Sequence, residues 1–98
     1  MMNLSIIIPV YNEEESLVIL NKEIHAVMLE LNYSYEVIFV DDGSIDKSWS
    51  IIESLSNNST IKAIRFKKNV GKSTALDVGF KHSNGEVVIS MDSDLQDD

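Results

Sequence analysis

Apolar runs of strand type alternate with helical patterns along this chain, and that alternation restricts the fold more than any other feature. The strand-type runs are residues 4–8, 35–40, 61–66 and 86–91, and helical patterns follow residue 12 and occupy residues 46–56 and 73–81. The order β-α-β-α-β-α-β is typical of a mostly parallel sheet with helices on its faces, joined by right-handed crossovers. We therefore predict an α/β fold with four strands and three helices, forming one domain over residues 1–98.

The first helix has the clearest signature in the sequence. Asn12 is a candidate N-cap, with Glu15 three residues later as in a capping box, and the preceding strand is expected to end at Pro9. Apolar residues then recur at helical spacing, at Leu17, Leu20, Ile24, Val27, Met28 and Leu31. This stripe predicts a helix that packs on the sheet and ends near residue 31.

The composition argues against several classes of function. The chain has 98 residues, 44% of them hydrophobic and 24% charged, which is usual for one soluble domain. A net charge of −8 argues against nucleic acid as a partner, and the absence of cysteine excludes disulfides and thiolate metal sites. No apolar run is long enough to span a bilayer, so we expect a cytoplasmic protein.

Polar residues follow three of the predicted strands. They are residues 11–12 after the first strand, residues 41–44 after the second and residues 92–96 after the fourth. In open α/β sheets, ligands bind beyond the carboxyl ends of the strands. Because parallel strands end at the same edge, these three segments should meet there although they lie far apart in the sequence. We therefore predict a binding site at this edge.

The last of these segments has the spacing of a metal site. Asp92 and Asp94 lie two positions apart, so both should project from the same face of the strand end. Their oxygens suit a hard divalent cation, Mg²⁺ or Mn²⁺, and Gln96 is a candidate third ligand. The alternative is a solvated acidic segment, which is the commoner explanation for a run of acids. We favour the metal site because the acids directly follow an apolar strand that we expect to be buried.

Two further segments have both a structural and a functional interpretation. Residues 41–44, Asp-Asp-Gly-Ser, are typical of a strand-to-helix turn, in which the glycine permits the turn and either Ser44 or Asp46 caps the helix. That interpretation leaves two adjacent carboxylates unexplained, since their repulsion must be relieved by a ligand, a metal or a donor. Lys72 either lies near the site or is a solvated surface charge. Residues 9–13 contain no glycine, which argues against a dinucleotide-binding turn and hydride chemistry.

Four stretches of the chain together resemble family 2 glycosyltransferases with the GT-A fold. They are SIIIPVYNE at residues 5–13, VDDGSID at 40–46, NVGK at 69–72 and MDSDLQD at 91–97. The last stretch is similar to the branch that attaches sugars to polyprenyl or dolichyl phosphate. The resemblance covers nearly the whole chain and implies the Rossmann-like, nucleotide-sugar-binding half of a GT-A domain, with a role in cell envelope biosynthesis.

The resemblance implies a nucleoside pocket built from the ends of the first two strands. Pro9, Tyr11 and Glu13 would line this pocket, with the Tyr11 ring against the base. Asp42 would accept a hydrogen bond from the base or the ribose, and Asp41 would support it. The donor implied by the family is a nucleoside diphosphate sugar, here a UDP- or GDP-sugar.

The resemblance also implies how the diphosphate would be held. Asp92 and Asp94 would be the D-x-D carboxylates of the family, binding Mg²⁺ or Mn²⁺ on the donor diphosphate, with Gln96 as a further ligand. Asp92 and Lys72 would also belong to the donor-binding set. The metal would act as a Lewis acid on the departing nucleoside diphosphate.

The resemblance further implies that this chain is the N-terminal part of a longer catalytic domain. The acceptor half would carry the catalytic base, so we expect no catalytic residue within the present chain and donor binding without transfer. Apolar surface left uncovered by the missing half should cause the chain to form a homodimer. The acceptor implied for the full-length protein is a polyprenyl phosphate or another glycan or lipid, at the cytoplasmic face of the membrane.

Two other functions remain open at this point. One is a phosphatase of the haloacid dehalogenase type, which also uses Asp-x-Asp after a strand, although normally after the first strand. The other is a non-catalytic module that binds a nucleotide or self-associates. Phosphatase activity on a generic phosphoester would favour the former, and saturable nucleotide binding without turnover would favour the latter.

Overall fold

The computed structural model describes residues 2–94 and contains one four-stranded, fully parallel sheet with three helices. The α/β prediction is therefore confirmed. Among the described residues, no helix is long and apolar enough to cross a membrane. The strands are β1 Leu4–Val10, β2 Tyr35–Asp41, β3 Ile61–Arg65 and β4 Val87–Ser90, and the helices are α1 Leu17–Leu31, α2 Ser48–Leu55 and α3 Lys72–Lys81.

The strand order β3-β2-β1-β4 places β1 in the middle of the sheet. β1 pairs with β2 from Leu4 opposite Tyr35 to Val10 opposite Asp41. On its other side β1 pairs with β4 only as far as Ile7. The chain therefore builds outward in one direction through β2 and β3 and then crosses to the opposite side of β1. In open α/β sheets the crevice at such a switch point is the usual ligand site, so the fold directs attention to the carboxyl ends of β1 and β4.

The core forms two layers, one on each face of the sheet. The larger layer lies under α1 and α2, where the side chain of Phe39 is fully buried. The smaller layer lies under α3, where Gly79 sits against Ile7 so closely that an added Cβ would clash with that side chain. The two clusters alternate along each strand, as period-two side-chain geometry requires; the larger contains Ile6, Ile8, Val10, Leu17, Leu20, Ile24, Met28, Val37, Phe39, Ile52 and Ile61, and the smaller Ile7, Ile38, Val40 and Ala75.

The boundaries of the first strand and the first helix differ from the prediction. β1 continues through Pro9 to Val10. Pro9 is tolerated because its missing N–H faces the β4 side of the strand, where the ladder ends with the bond from the Met91 N–H to the Ile7 carbonyl. The prediction that Asn12 caps the helix was wrong, since Asn12 has a positive φ of 55° and α1 begins at Leu17.

Fewer residues of the apolar stripe on α1 are buried than predicted. Four of its residues are buried as expected, namely Leu17, Leu20, Ile24 and Met28. Val27 and Leu31 are each about half exposed, at 47% and 49%. The expectation of a buried fourth strand was wrong, because β4 lies at the edge of the sheet and Val87 and Ile89 are 57% and 39% exposed. Between α1 and β4 an apolar groove of about 230 Å³ remains open.

At the amino ends of the strands, a buried carboxylate joins three strands to the connection before β4. Glu36 is 2% exposed, and it accepts hydrogen bonds from the Ser5 hydroxyl and the Asn84 N–H, both at 2.6 Å. Its other oxygen lies 2.9 Å from the Lys62 ammonium. Burial alone would raise the pKa of Glu36, but the bonds from Ser5, Lys62 and Asn84 outweigh it and lower that pKa. The charge is therefore fully compensated.

Candidate functional site

A cavity of about 260 Å³ opens at the carboxyl ends of β1 and β4, at the switch point of the sheet. It brings together every residue predicted to bind the donor except Asp41, and it also includes Asp94. Segments separated by more than eighty positions in the sequence thus meet at one place, as parallel strand ends should. The cavity is lined by Pro9, Val10, Tyr11, Glu13, Asp42, Lys72, Asp92, Ser93 and Asp94.

Asp41 lies beneath this cavity and does not line it. Its side chain is fully buried, and Oδ1 accepts a hydrogen bond from the Ser44 N–H at 3.1 Å. Its Oδ2 is buried without a hydrogen bond to any residue that the structure describes. Asp41 therefore shapes the turn after β2, a role that the structural interpretation of residues 41–44 did not assign to it. Its predicted support of Asp42 stays a prediction.

Asp42 is 4% exposed, and its carboxylate is already occupied by the loop before α3. Oδ1 accepts from the Val70 N–H at 2.8 Å, and Oδ2 accepts from the Gly71 N–H at 3.0 Å and the Asn69 amide at 3.1 Å. These donors relieve the repulsion between the two adjacent carboxylates. The sequence analysis missed this partner, since nothing in the sequence around residue 42 indicates a contact with residues 69–71.

Lys72 and Asp92, which both line the cavity, form an ion pair. The Lys72 ammonium lies 2.6 Å from Asp92 Oδ1, and the two side chains are 63% and 69% exposed. An ion pair this exposed contributes at most about 1 kcal/mol, so an incoming anion or cation can separate it. Lys72 is the first residue of α3, one position earlier than predicted. Of the two interpretations of Lys72, the structure supports a position at the site.

The loops after β1 and β2 hold each other through side-chain bonds to backbone groups. The Asn12 amide oxygen accepts from the N–H groups of Ile45 and Asp46, at 2.9 and 3.3 Å. In return, the hydroxyls of Ser44 and Ser48 accept from the N–H groups of Asn12 and Glu13, both at 2.9 Å. This reciprocal bonding explains why α1 starts late: the Asn12 side chain stabilises the neighbouring loop and not its own helix.

The segment after β4 is tied to the loop before α1. The Ser16 hydroxyl donates to the Ser93 carbonyl at 2.7 Å, and Ser93 is 5% exposed. This contact fixes the backbone between Asp92 and Asp94, so both carboxylates border the cavity. Ser16 is a residue that the sequence analysis missed, although a serine shortly before an apolar stripe is a common signal of a helix start.

Four carboxylates and one ammonium line the cavity, so its lining carries a net negative charge. Burial raises the pKa of Glu13, and the nearby charges of Asp94 and Asp46 raise it further, while a hydrogen bond with Ser16 offsets part of the effect. Glu13 and Asp94 also border a neighbouring cavity of about 610 Å³. A cation placed between these groups would relieve the repulsion.

The predicted metal ligands are described only in part. Asp92 and Asp94 border the same cavity and offer the hard oxygen donors that Mg²⁺ and Mn²⁺ prefer. Gln96 lies outside the described residues. Within residues 2–94, no three histidine or acidic side chains come close enough together to form a metal site. The two carboxylates fit a divalent cation in chemistry and in charge, and they would require a further ligand.

Comparison with known proteins identifies the family. The profile of Glycosyl transferase family 2 matches residues 5–98. The chain belongs to this family. The phosphatase alternative is therefore wrong. Membership agrees with the resemblance carried by the four sequence stretches and with the position of the cavity at the carboxyl ends of β1 and β4.

Relatives of this family 2 chain include sugar transferases that use a lipid phosphate. The chain is 44% identical over 94 residues to an undecaprenyl-phosphate 4-deoxy-4-formamido-L-arabinose transferase from Pseudomonas fluorescens. It is 43% identical to a transferase of the same name from Photorhabdus laumondii. Each alignment covers 94% of this chain and 28% or 29% of the relative. The chain thus spans less than a third of the length of these relatives.

Two solved structures share the fold. TarS from S. aureus, residues 1–349 in complex with UDP-GlcNAc, has a TM-score of 0.75 at 29% identity, covering 94% of this chain and 26% of that protein. The mannosyltransferase PcManGT from Pyrobaculum calidifontis, in complex with GDP-Man and Mn²⁺, has a TM-score of 0.72 at 23% identity, covering 93% of this chain and 27% of that protein. The second similarity supports the fold alone.

Proposed function

We propose that this chain binds the nucleoside diphosphate of a UDP- or GDP-sugar in the cavity at the ends of β1 and β4. The observation that carries the proposal is the convergence of Pro9, Tyr11, Glu13, Asp42, Lys72 and Asp92 on one cavity at the switch point of the sheet. Family membership and the UDP-GlcNAc complex of TarS support it. Asp41 contributes to the proposed site indirectly, because it stabilises the turn that carries Asp42.

The nucleoside end of the donor is assigned to the ends of β1 and β2. Tyr11 is 47% exposed at the rim of the cavity, so its ring is free to stack on a base. Pro9 and Glu13 would border the ribose and the base. Asp42 keeps one acceptor position on Oδ1 beside its bond to Val70, which is enough for one hydrogen bond from the nucleoside.

The diphosphate end is assigned to Lys72, Asp92 and Asp94. Asp92, Asp94 and, as a third ligand, Gln96 would hold Mg²⁺ or Mn²⁺, which when bound neutralises the charge that develops on the departing nucleoside diphosphate. Lys72 would leave Asp92 and move its ammonium to a phosphate oxygen. Breaking this exposed pair costs little, so the exchange of partners is readily reversible.

The test is a map of donor binding by NMR on a chain of this size. UDP and GDP with Mg²⁺ should shift the backbone amides of Tyr11, Asp42, Lys72 and Asp92. The amides around Glu36, at the opposite end of the strands, should not move. Tyr11→Ala should weaken binding of UDP or GDP roughly tenfold through loss of base stacking. Shifts confined to the Glu36 end, or none with either nucleotide, would overturn the proposal.

Transfer to an acceptor is proposed for the full-length protein only. Because the chain spans less than a third of its relatives, we infer that these 98 residues bind the donor without transferring sugar. The proposed acceptor is a polyprenyl phosphate, as in the names of the relatives. A lipid acceptor would place the full-length protein at the cytoplasmic face of the membrane, in synthesis of the cell envelope. Sugar transfer to a polyprenyl phosphate by this chain alone would contradict the inference.

Self-association is the second function that a specific observation favours. β4 pairs only with β1 in the described sheet, and Val87 and Ile89 are exposed beside the groove between α1 and β4. Exposed strand edges and contiguous apolar patches are sites of pairing. Two copies related by a two-fold axis would pair their β4 strands antiparallel and cover both grooves.

Sedimentation tests this homodimer directly. The wild-type chain should sediment as a dimer, and Ile89→Lys should make it a monomer because the charge would be buried in the apolar groove that the dimer covers. Ile45→Lys is the control, since Ile45 is 87% exposed in the loop after β2. A wild-type monomer at high protein concentration would contradict the dimer and leave donor binding unaffected.

A further inference from the structure

The bonds of Asp42 point to a role beyond contact with a ligand. Its carboxylate accepts from two consecutive backbone N–H groups, at Val70 and Gly71, and from the side chain of Asn69. The same Asn69 amide also donates to the Asp42 carbonyl at 3.2 Å. A carboxylate that collects backbone donors in this way fixes the conformation of the segment that supplies them, because such charge-assisted bonds are short and strong.

Gly43 brings the two segments into direct contact. Its φ is +74°, and a Cβ added there would clash with the carbonyl carbon of Lys68 and the nitrogen of Asn69. The backbone of the loop before α3 therefore passes directly over residue 43, at a distance that only glycine permits. Asp42 and Gly43 together hold this loop against the end of β2.

We propose that Asp42 is a positioning residue. It holds residues 69–71 against the end of β2, and this places Lys72 in contact with Asp92 at the cavity. Lys72 directly follows Gly71, whose N–H is held by Asp42 and whose carbonyl accepts the first bond within α3, from Ala75. The start of the helix and the direction of the Lys72 side chain are thus set from Asp42. The consequence for a diphosphate ligand rests on the proposed function.

The positioning role can be separated from contact with the nucleoside. Three of the roughly four acceptor positions of the carboxylate are used by the loop. A variant at Asn69 weakens the attachment of the loop to Asp42 without altering the Asp42 carboxylate. If Asp42 acts only through the nucleoside, such a variant should be silent; if Asp42 positions the loop, it should resemble a variant of Asp42 itself.

The experiment compares Asp42→Asn, Asn69→Ala and a control, Asn57→Ala, which changes an exposed asparagine after α2 at the opposite end of the strands. Two readouts need no ligand: hydrogen exchange of the Val70 and Gly71 amides, and the nuclear Overhauser effect between Lys72 and Asp92 side chains. Asp42→Asn should accelerate both exchange rates and abolish the Lys72–Asp92 effect, with the other amides of the sheet unchanged. Asn69→Ala should also accelerate both exchange rates and reduce the Lys72–Asp92 effect, but by less than Asp42→Asn does.

The ligand readout uses inorganic pyrophosphate with Mn²⁺ as probe. Asp42→Asn should weaken its binding roughly tenfold and Asn69→Ala roughly fivefold, as expected for loss of a charge-assisted bond. Asn57→Ala should bind as wild type does. If the wild-type chain binds no pyrophosphate while the exchange and Overhauser readouts respond as expected, the donor site fails and the positioning role stands.

Two results would overturn the positioning role. One is an unchanged Lys72–Asp92 Overhauser effect in Asp42→Asn with the fold intact, since Lys72 would then be placed by other contacts. The other is wild-type pyrophosphate affinity in Asn69→Ala together with weakened binding of uridine or guanosine in Asp42→Asn. That pattern would assign Asp42 to the nucleoside alone.

Discussion

The two ends of the sheet shift the pKa of a glutamate in opposite directions. At the amino ends of the strands, Glu36 is enclosed by Ser5, Lys62 and Asn84, and its pKa is lowered. At the carboxyl ends, Glu13 lies near Asp94, and its pKa is raised first by burial and then by that neighbouring charge. The first carboxylate has every partner it needs within the fold, while the second lies among like charges.

This difference separates structural acids from functional ones. A carboxylate with complete partners stabilises the folded chain, whereas acids left close together destabilise it unless a ligand or cation intervenes. Asp42 combines both situations, because residues 69–71 fill three of its acceptor positions and yet it borders the cavity. The direction of the pKa shift and its cause, and not acidity alone, therefore distinguish the two ends.

The largest expected effect is at the amino end. Glu36→Ala should lower the free energy of unfolding by about 3 kcal/mol, because it leaves the Ser5 hydroxyl and the Asn84 N–H without their acceptor and removes the ion pair with Lys62. Urea denaturation measures this directly. Glu53→Ala, at an exposed position on α2, should change stability by less than about 0.5 kcal/mol. Equal effects of the two substitutions would break the distinction drawn between the ends.

The pH dependence of the unfolding free energy should also reveal the contribution of the Glu36 carboxylate. Because the folded pKa of Glu36 is lowered, its contribution is complete above the ordinary glutamate pKa of about 4.3 and is lost as pH falls through the folded value. The difference in unfolding free energy between wild type and Glu36→Gln should therefore shrink from neutral to strongly acidic pH. A difference that stays constant over this range would mean that the charge of Glu36 contributes nothing.

At the carboxyl ends of the strands, we expect a smaller change in the free energy of unfolding, with the opposite sign. Asp94→Asn removes one of the charges that raise the pKa of Glu13. Without added metal, it should stabilise the chain by about 0.5 kcal/mol. Thermal denaturation in chelator compares it with Asp77→Asn, which instead removes the exposed partner of Lys81 on α3. A destabilised Asp94→Asn would show that Asp94 is a structural acid like Glu36.

The sequence predicted the fold well because its periodicity is unambiguous. The alternating strand and helix patterns specified the parallel sheet, and the positions of Tyr11, Asp42 and Asp92 at strand ends were enough to place them on one edge. Tertiary contacts decided the remainder. The type and spacing of Asn12 predict a helix cap, but its amide oxygen accepts hydrogen bonds from the loop at residues 45–46 instead.

Two features could not be predicted from local pattern. An apolar run such as residues 87–90 looks the same in a central strand and in an edge strand, so the exposure of Val87 and Ile89 depends on the strand order alone. Likewise, the bond between Asp42 and Val70 spans 28 positions and leaves no signal at either residue. Topology determines both, and a single sequence encodes topology only indirectly.

The central claim is that the excess negative charge at the carboxyl end binds a divalent cation together with a nucleoside diphosphate. Calorimetric titration of UDP and GDP, in Mn²⁺ and in excess chelator, tests it most directly. We predict saturable binding of one nucleotide in Mn²⁺, at least tenfold weaker binding in chelator, and the same loss in Asp94→Asn but not in Asp77→Asn. Equal affinity with and without the cation would contradict the account.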